Sequence, residues 1–325
     1  MKDFQKKYYV KQDFVDITEL ERYLGSIQYT IPTKSILDLQ NKVEEWIAMN
    51  DCGAIIYGES RVGKTRAIRY ISQHLKHKYS SQLPIYTFTA TDHIPTQKTF
   101  YASLLASIGH EEPYKGTAVQ MRQRLVHRII VNALDTKYRR AVLFIDEAYL
   151  LNDKEYLWLI DIYNELNLHD ILFTVFLFGT RELKEQKTGY ISAGKKQIVL
   201  RFMVNEFEFK GITNERDAAI CMASMDKPFK PTDWKESVIL SDFFFPIAYQ
   251  DGFKLSAYAK DLWNAFEAVK YKNNIRTNQI LMKYFIDAIL YCMKQYGVFG
   301  KGIYQPTLEE WKRSILDSGF VISQI

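Results

Sequence analysis

The stretch Gly58-Glu59-Ser60-Arg61-Val62-Gly63-Lys64-Thr65 constrains this chain more than any other. A short apolar run, Ala54-Ile55-Ile56-Tyr57, precedes it, and a helix is expected from Arg66 to Leu75. Strand, glycine loop, lysine, hydroxyl and helix in that order form a phosphate-binding loop. Its glycines let backbone N–H groups turn inward around phosphates, and the helix N-terminus adds partial positive charge. Lys64 is placed to reach the β and γ phosphates of ATP, and Thr65 to ligate Mg2+.

A second motif bears on what the nucleotide is for. Ala141-Val142-Leu143-Phe144-Ile145 reads as a buried parallel strand, and it ends in Asp146-Glu147. A carboxylate there stands beside the phosphate loop, so Asp146 can hold the Mg2+ shell through water. Glu147 can polarise a water toward the γ-phosphate. Taken alone, the pair would be an acidic strand end capping a turn; behind the glycine loop it points to hydrolysis.

The 325 residues suffice for one large domain or two ordinary ones, and a 47% hydrophobic content can fill the core. No run of eighteen apolar residues and no signal-peptide pattern is present, so a cytoplasmic protein without a membrane partner is expected. Cys52, Cys221 and Cys292 match no metal spacing and are expected as buried free thiols. A net charge of +5 permits a nucleic-acid partner without demanding one.

Apolar periodicity predicts helices at 34–49, 97–108, 119–134 and 156–166, with strands at 85–89, 171–178 and 204–209. After Asn214 helices dominate, notably 258–270 and 279–296. Strands alternating with helices predict an α/β fold with a three-layer parallel sheet of five strands, followed by a small helical bundle.

That plan, with its motifs in order, resembles the AAA+ ATPases. Strand four ends in Gly179-Thr180, where a polar side chain in that family senses the γ-phosphate; Thr180 could equally cap the next helix. Arg201, just before strand five, falls where AAA+ proteins place an arginine that enters a neighbouring subunit's site in trans; otherwise it is an ordinary exposed arginine. The domains expected are an N-terminal extension (1–35), an AAA+ nucleotide-binding domain (36–212), a helical lid (213–297) and a tail (298–325).

Within AAA+, the chain is similar to the TnsC and TniB group of transposition ATPases, including those of CRISPR-associated transposons, over roughly residues 30–290. The residues that carry this are 57–65, Ile145-Asp146-Glu147-Ala148, Phe178-Gly179-Thr180 and Leu200-Arg201-Phe202. Two further segments, Pro95-Thr96-Gln97-Lys98-Thr99-Phe100 and Lys115-Gly116-Thr117, fall where that group carries loops facing DNA. The resemblance implies a homo-oligomer, ring or filament, assembled with ATP on double-stranded DNA without sequence reading. It would bridge a target-selection protein and a transposase, and hydrolysis would dismantle it. Lys98, Thr99, Lys115 and Thr117 would contact DNA; by themselves the two lysines read as solvated surface. Arg122, Arg124, His127 and Arg128 form either a basic helix face or solvated charge. The lid departs from the AAA+ pattern, reading Gly252-Phe253-Lys254-Leu255 where a sensing arginine is usual.

Two alternatives remain at this level. A STAND-like defence or signalling NTPase should carry an effector or repeat domain. A replication initiator or loader should carry a helix-turn-helix module after the lid, and the thirty-odd residues there are fewer than a domain needs.

Overall fold

In the computed structural model, residues 17–26, 29–231, 234 and 236–324 are described. They fall into two compact units: residues 35–210, and the segments before 35 and after 210 together. Residues 1–16 of the expected N-terminal extension lie outside the described residues.

The chain begins with α1 (Ile17–Gly25) and α2 (Lys34–Ala48). Next come β1 (Gly53–Tyr57), α3 (Lys64–Lys78), β2 (Ile85–Thr89), α4 (Gln97–Ser107), α5 (Ala118–Leu134) and β3 (Arg140–Asp146). They are followed by α6 (Asp153–Leu168), β4 (Leu172–Gly179), α7 (Glu182–Ser192), α8 (Lys196–Phe202) and β5 (Asn205–Glu208). The remaining helices are α9 (Glu215–Met225), α10 (Leu240–Phe244), α11 (Pro246–Gln250), α12 (Ala259–Lys272), α13 (Met282–Tyr296) and α14 (Leu308–Asp317).

The five strands are all parallel and run in the order β2-β3-β4-β1-β5, as the alternation of strands and helices predicts. Burial follows position in the sheet. Every residue of β1 is buried, and β3 and β4 are buried after their first residue. The edge strands β2 and β5 alternate instead. Central parallel strands are covered on both faces, which is why they read as unbroken apolar runs.

Successive residues of a strand point to opposite faces. Leu143, Ile145, Val175 and Leu177 share a core with Leu104, Leu125 and Leu159 of α4, α5 and α6. On the other face Phe144 stacks on Phe176 with centroids 5.3 Å apart, and Trp46 of α2 lies 6.0 Å from Phe176.

The strand order reverses beside β1: the chain leaves β1, reaches β2 at the far edge, and returns through β3 and β4. Ligands of open α/β sheets settle at such a switch point, beyond the strands' carboxyl ends. The register there sets Tyr57 opposite Gly179 and Ile145 opposite Leu177, so β1, β3 and β4 deliver their following loops to one place.

The second unit has its own core, in which Leu20, Leu24, Tyr29 and Ile31 join residues of α9, α10, α12 and α13. Trp311, Ile315 and Phe320 are also in it, each fully buried. Residues 298–325, expected as a separate tail, thus supply a packed helix here. Thr307 and Glu310 form a capping box at the start of α14, and Trp311 and Ile315 follow at helical spacing. Tyr304 is half exposed and donates from its hydroxyl to Asp251 at 2.7 Å. Cys221 and Cys292 are buried, and desolvation pushes both thiols up to about 12. Cys52 is only half buried, with its Sγ 3.1 Å from the Tyr163 hydroxyl.

Replacing Trp311 by alanine should cost about 3–5 kcal/mol, the usual loss for a buried tryptophan. Urea unfolding monitored by far-UV circular dichroism checks this: the transition should move to lower urea. An unmoved transition would place α14 outside the core.

Candidate nucleotide site

The loop after β1 takes a conformation only certain residues tolerate. Gly63 has φ 110°, immediately before α3, and Arg61 also has positive φ at 63°. A Cβ at Gly58 would stand 2.2 Å from the carbonyl oxygen of Phe209, so no side chain fits there. The Gly58 N–H donates to the Gly179 carbonyl at 3.2 Å, tying the loop to the end of β4.

Lys64 is the first residue of α3 and only 6% exposed. Its Nζ donates to the carbonyls of Gly58 and Glu59, both at 2.9 Å, so the ammonium lies folded into the loop. Burial pushes its pKa down, while the nearby carboxylates of Glu147, Asp146 and Glu59 oppose that shift and favour the charged form. Thr65 Oγ1 donates to Asp146 Oδ2 at 2.6 Å, joining the glycine loop to β3. Asp146 is 4% exposed, and its other oxygen accepts the Glu147 N–H at 3.1 Å. A hydroxyl beside a carboxylate is the hard-oxygen pair that Mg2+ prefers, so these residues fit that ion. Glu147 has φ 53°, a conformation rarely held by residues other than glycine and concentrated at functional sites.

Thr180 resolves one open reading. Its carbonyl accepts from the Leu183 N–H at 3.1 Å, but its side chain caps no helix. The hydroxyl oxygen is buried and has no hydrogen-bond partner among the described residues. A buried, unpartnered hydroxyl at the carboxyl end of β4 is a donor in want of an acceptor.

Arg201 lies in the last turn of α8, a helix that periodicity did not reveal. It donates to Asn164 Oδ1 at 2.9 Å and lies over the Tyr163 ring at 5.4 Å. Its neighbour Leu200 is 67% exposed. Sequence reading also missed Arg181, whose Nε is 2.9 Å from Glu59 Oε1.

The residues expected to face DNA come from two segments. Lys98 stands at the start of α4, and Lys115 in the loop beyond its far end. Thr99 and Thr117 have local structural roles. Thr96 and Thr99 form a capping box at α4, and the Thr99 hydroxyl donates to the Thr96 carbonyl at 2.9 Å. Thr117 caps α5 reciprocally with Gln120. Lys115 is exposed and pairs with Glu112 at 2.8 Å. On α5, Arg122 pairs with Glu165 at 3.4 Å and Arg124 donates to the Lys115 carbonyl, while His127 and Arg128 are exposed.

The loop between β2 and α4 is fastened at His93. Its Nδ1 lies 2.7 Å from the Thr91 carbonyl, which can only accept, so Nδ1 carries a proton. Nε2 then faces Glu155 Oε1 at 3.5 Å, and both atoms are buried. Glu155 is 1% exposed and its other oxygen accepts the Asn152 N–H in the α6 capping box.

Burial raises the Glu155 carboxyl above its ordinary 4.5, against the opposing Asn152 hydrogen bond and His93 charge. A carboxyl raised on folding contributes stability that is complete below its unfolded pKa and is lost as pH climbs through the folded one. Glu155→Gln keeps the cap acceptor without the charge. Its stability relative to wild type should therefore rise from pH 4.5 upward and level off once the wild-type carboxyl has ionised. Urea midpoints of both proteins across that range test this; a difference independent of pH would contradict it.

Residues 50–186 match a protein-family model described as an AAA domain, a span containing the glycine loop, Asp146, Glu147 and Thr180. A segment of 102 residues is 32% identical to an ORC1-type DNA replication protein of Desulfurococcus amylolyticus. That segment is 31% of this chain and spans only 25% of the relative's length. Among solved structures, the chain is similar to the Aeropyrum pernix ORC2 protein in ADPNP-ADP complexes, with a TM-score of 0.56 and 10% identity. The similarity covers 89% of this chain and 69% of that one. The fold is that of an AAA+ protein. No helix among the described residues is long and apolar enough to cross a membrane.

Proposed function

We propose that this chain is an ATP-driven AAA+ switch of the replication-initiator type, which assembles as a homo-oligomer on double-stranded DNA in the cytoplasm and is released by hydrolysis. The observation that carries the nucleotide part is the convergence at the carboxyl end of the sheet. A buried lysine and Thr65 at the start of α3, Asp146 at the end of β3, 2.6 Å from the Thr65 hydroxyl, and the unpartnered Thr180 hydroxyl just past β4 all lie at or beyond the carboxyl ends of the neighbouring strands β1, β3 and β4.

In this reading the backbone of residues 58–65 wraps the phosphates of ATP, and Lys64 turns from its two carbonyls to the β and γ phosphates. Thr65 would hold Mg2+ directly and Asp146 through water, the ion neutralising phosphate charge. Glu147 orients and deprotonates the attacking water, and Thr180 donates to the γ-phosphate. Arg201 leaves Asn164 and Tyr163 to reach the site of the adjacent subunit, where a guanidinium offsets charge on the transferring group.

The initiator type is favoured by the ORC1-type relative. The transposition reading shares the switch and the DNA but requires a transposase and a target-selection protein, for which the relatives found give no support. Lys98 and Lys115 would each contact a backbone phosphate. With only +5 of net charge, binding has to sum over many subunits.

Lys64→Ala should abolish ATP binding. Glu147→Gln should bind ATP as wild type does, yet hydrolyse it at least about a hundredfold more slowly, the scale of general-base loss. Nucleotide titration and steady-state phosphate release separate the two effects. Wild-type turnover by Glu147→Gln would remove Glu147 from the role of base.

A further inference from the structure

The glycine loop carries an acidic residue at its second position, an awkward place for one. The Glu59 carbonyl is part of the cradle, accepting from Lys64 Nζ at 2.9 Å. A carboxylate on that residue therefore stands beside the position of a polyanionic ligand, where like charges repel. Arg181, two residues past the end of β4, answers it. Its Nε is 2.9 Å from Glu59 Oε1, and its terminal nitrogen is 3.8 Å from Glu208 Oε1. Glu208 closes β5, opposite Tyr57 in register, so both carboxylates flank the root of the loop. The two are not equally dependent on Arg181. Glu208 also has Lys210 at 3.0 Å, whereas removing the guanidinium leaves Glu59 with only the longer-range charge of Lys64, which the phosphates would also draw on.

We infer that Arg181 is a positioning residue for nucleotide binding: it holds the Glu59 carboxylate neutralised and turned from the phosphates, making an acidic glycine loop compatible with a nucleoside triphosphate. This rests on the nucleotide-switch reading above and assigns a residue which that reading leaves out. The pair is exposed, 61% at Arg181 and 44% at Glu59, so as a surface ion pair it adds little to fold stability. Its effect appears when the triphosphate brings further negative charge beside Glu59.

The test is a suppressor series read by titration with Mg-ATP and Mg-ADP. Arg181→Ala should weaken ATP binding about three- to tenfold, the scale of one partly screened charge, and ADP binding by less. Glu59→Gln in the Arg181→Ala background should restore ATP affinity to within about twofold of wild type. Arg181→Lys, which keeps the charge, should lie between. Thermal melting without nucleotide should be the same for all four proteins, separating this role from a structural one. ATP affinity unchanged or tightened in Arg181→Ala, or no recovery in the double variant, overturns the inference. Failure of the wild type to bind ATP at all would instead overturn the nucleotide-switch reading.

Discussion

A buried ammonium is the constraint on which the site depends. Lys64 sits at 6% exposure, where a lone cation would lose its proton or refuse burial. Geometry offsets that cost: two loop carbonyls accept its hydrogen bonds, and the charges of Glu147, Asp146 and Glu59 oppose the downward pKa shift that burial imposes. Those carbonyls are in place because Gly63 bends with positive φ and Gly58 lies against the Phe209 backbone. Glu147 and Asp146 are in place because β3 ends beside β4 in fixed register. The local strain, the register and the charge are thus one arrangement, and none of its parts has an equally good reason to exist alone.

The same arrangement shows what the sequence made legible. Continuous apolar runs identified β3 and β4 because central parallel strands are buried on both faces. The glycine loop and Asp146-Glu147 were readable because their spacing is local. Three features were not. α8 has seven residues, under two full turns, too few for a period to emerge, and it carries Arg201. The Arg181–Glu59 pair joins residues brought together only by the sheet. The third is the place of α14: the Thr307 and Glu310 spacing ahead of Trp311 and Ile315 signals a helix, but no local pattern shows that it enters the second unit's core.

Capping also changes the view of the expected DNA loops. Threonines before helices are favoured because their oxygens satisfy free backbone N–H groups, and Thr117 does this for α5. A threonine between a glycine and a helix therefore has a structural reason to be there whether or not DNA approaches. The lysines carry no such internal reason, since Lys98 is exposed and Lys115 has only a surface partner. Any phosphate contact would rest on them, repeated over many subunits.

Mass measurement in solution tests the central claim most directly: that ATP bound at this site drives assembly on duplex DNA. Sedimentation of the wild-type chain with a long duplex should show species much heavier than one subunit per DNA with ATP, and their loss with ADP. The same subunit mass with ATP, with ADP and with no nucleotide, in a protein that still binds ATP, would contradict it.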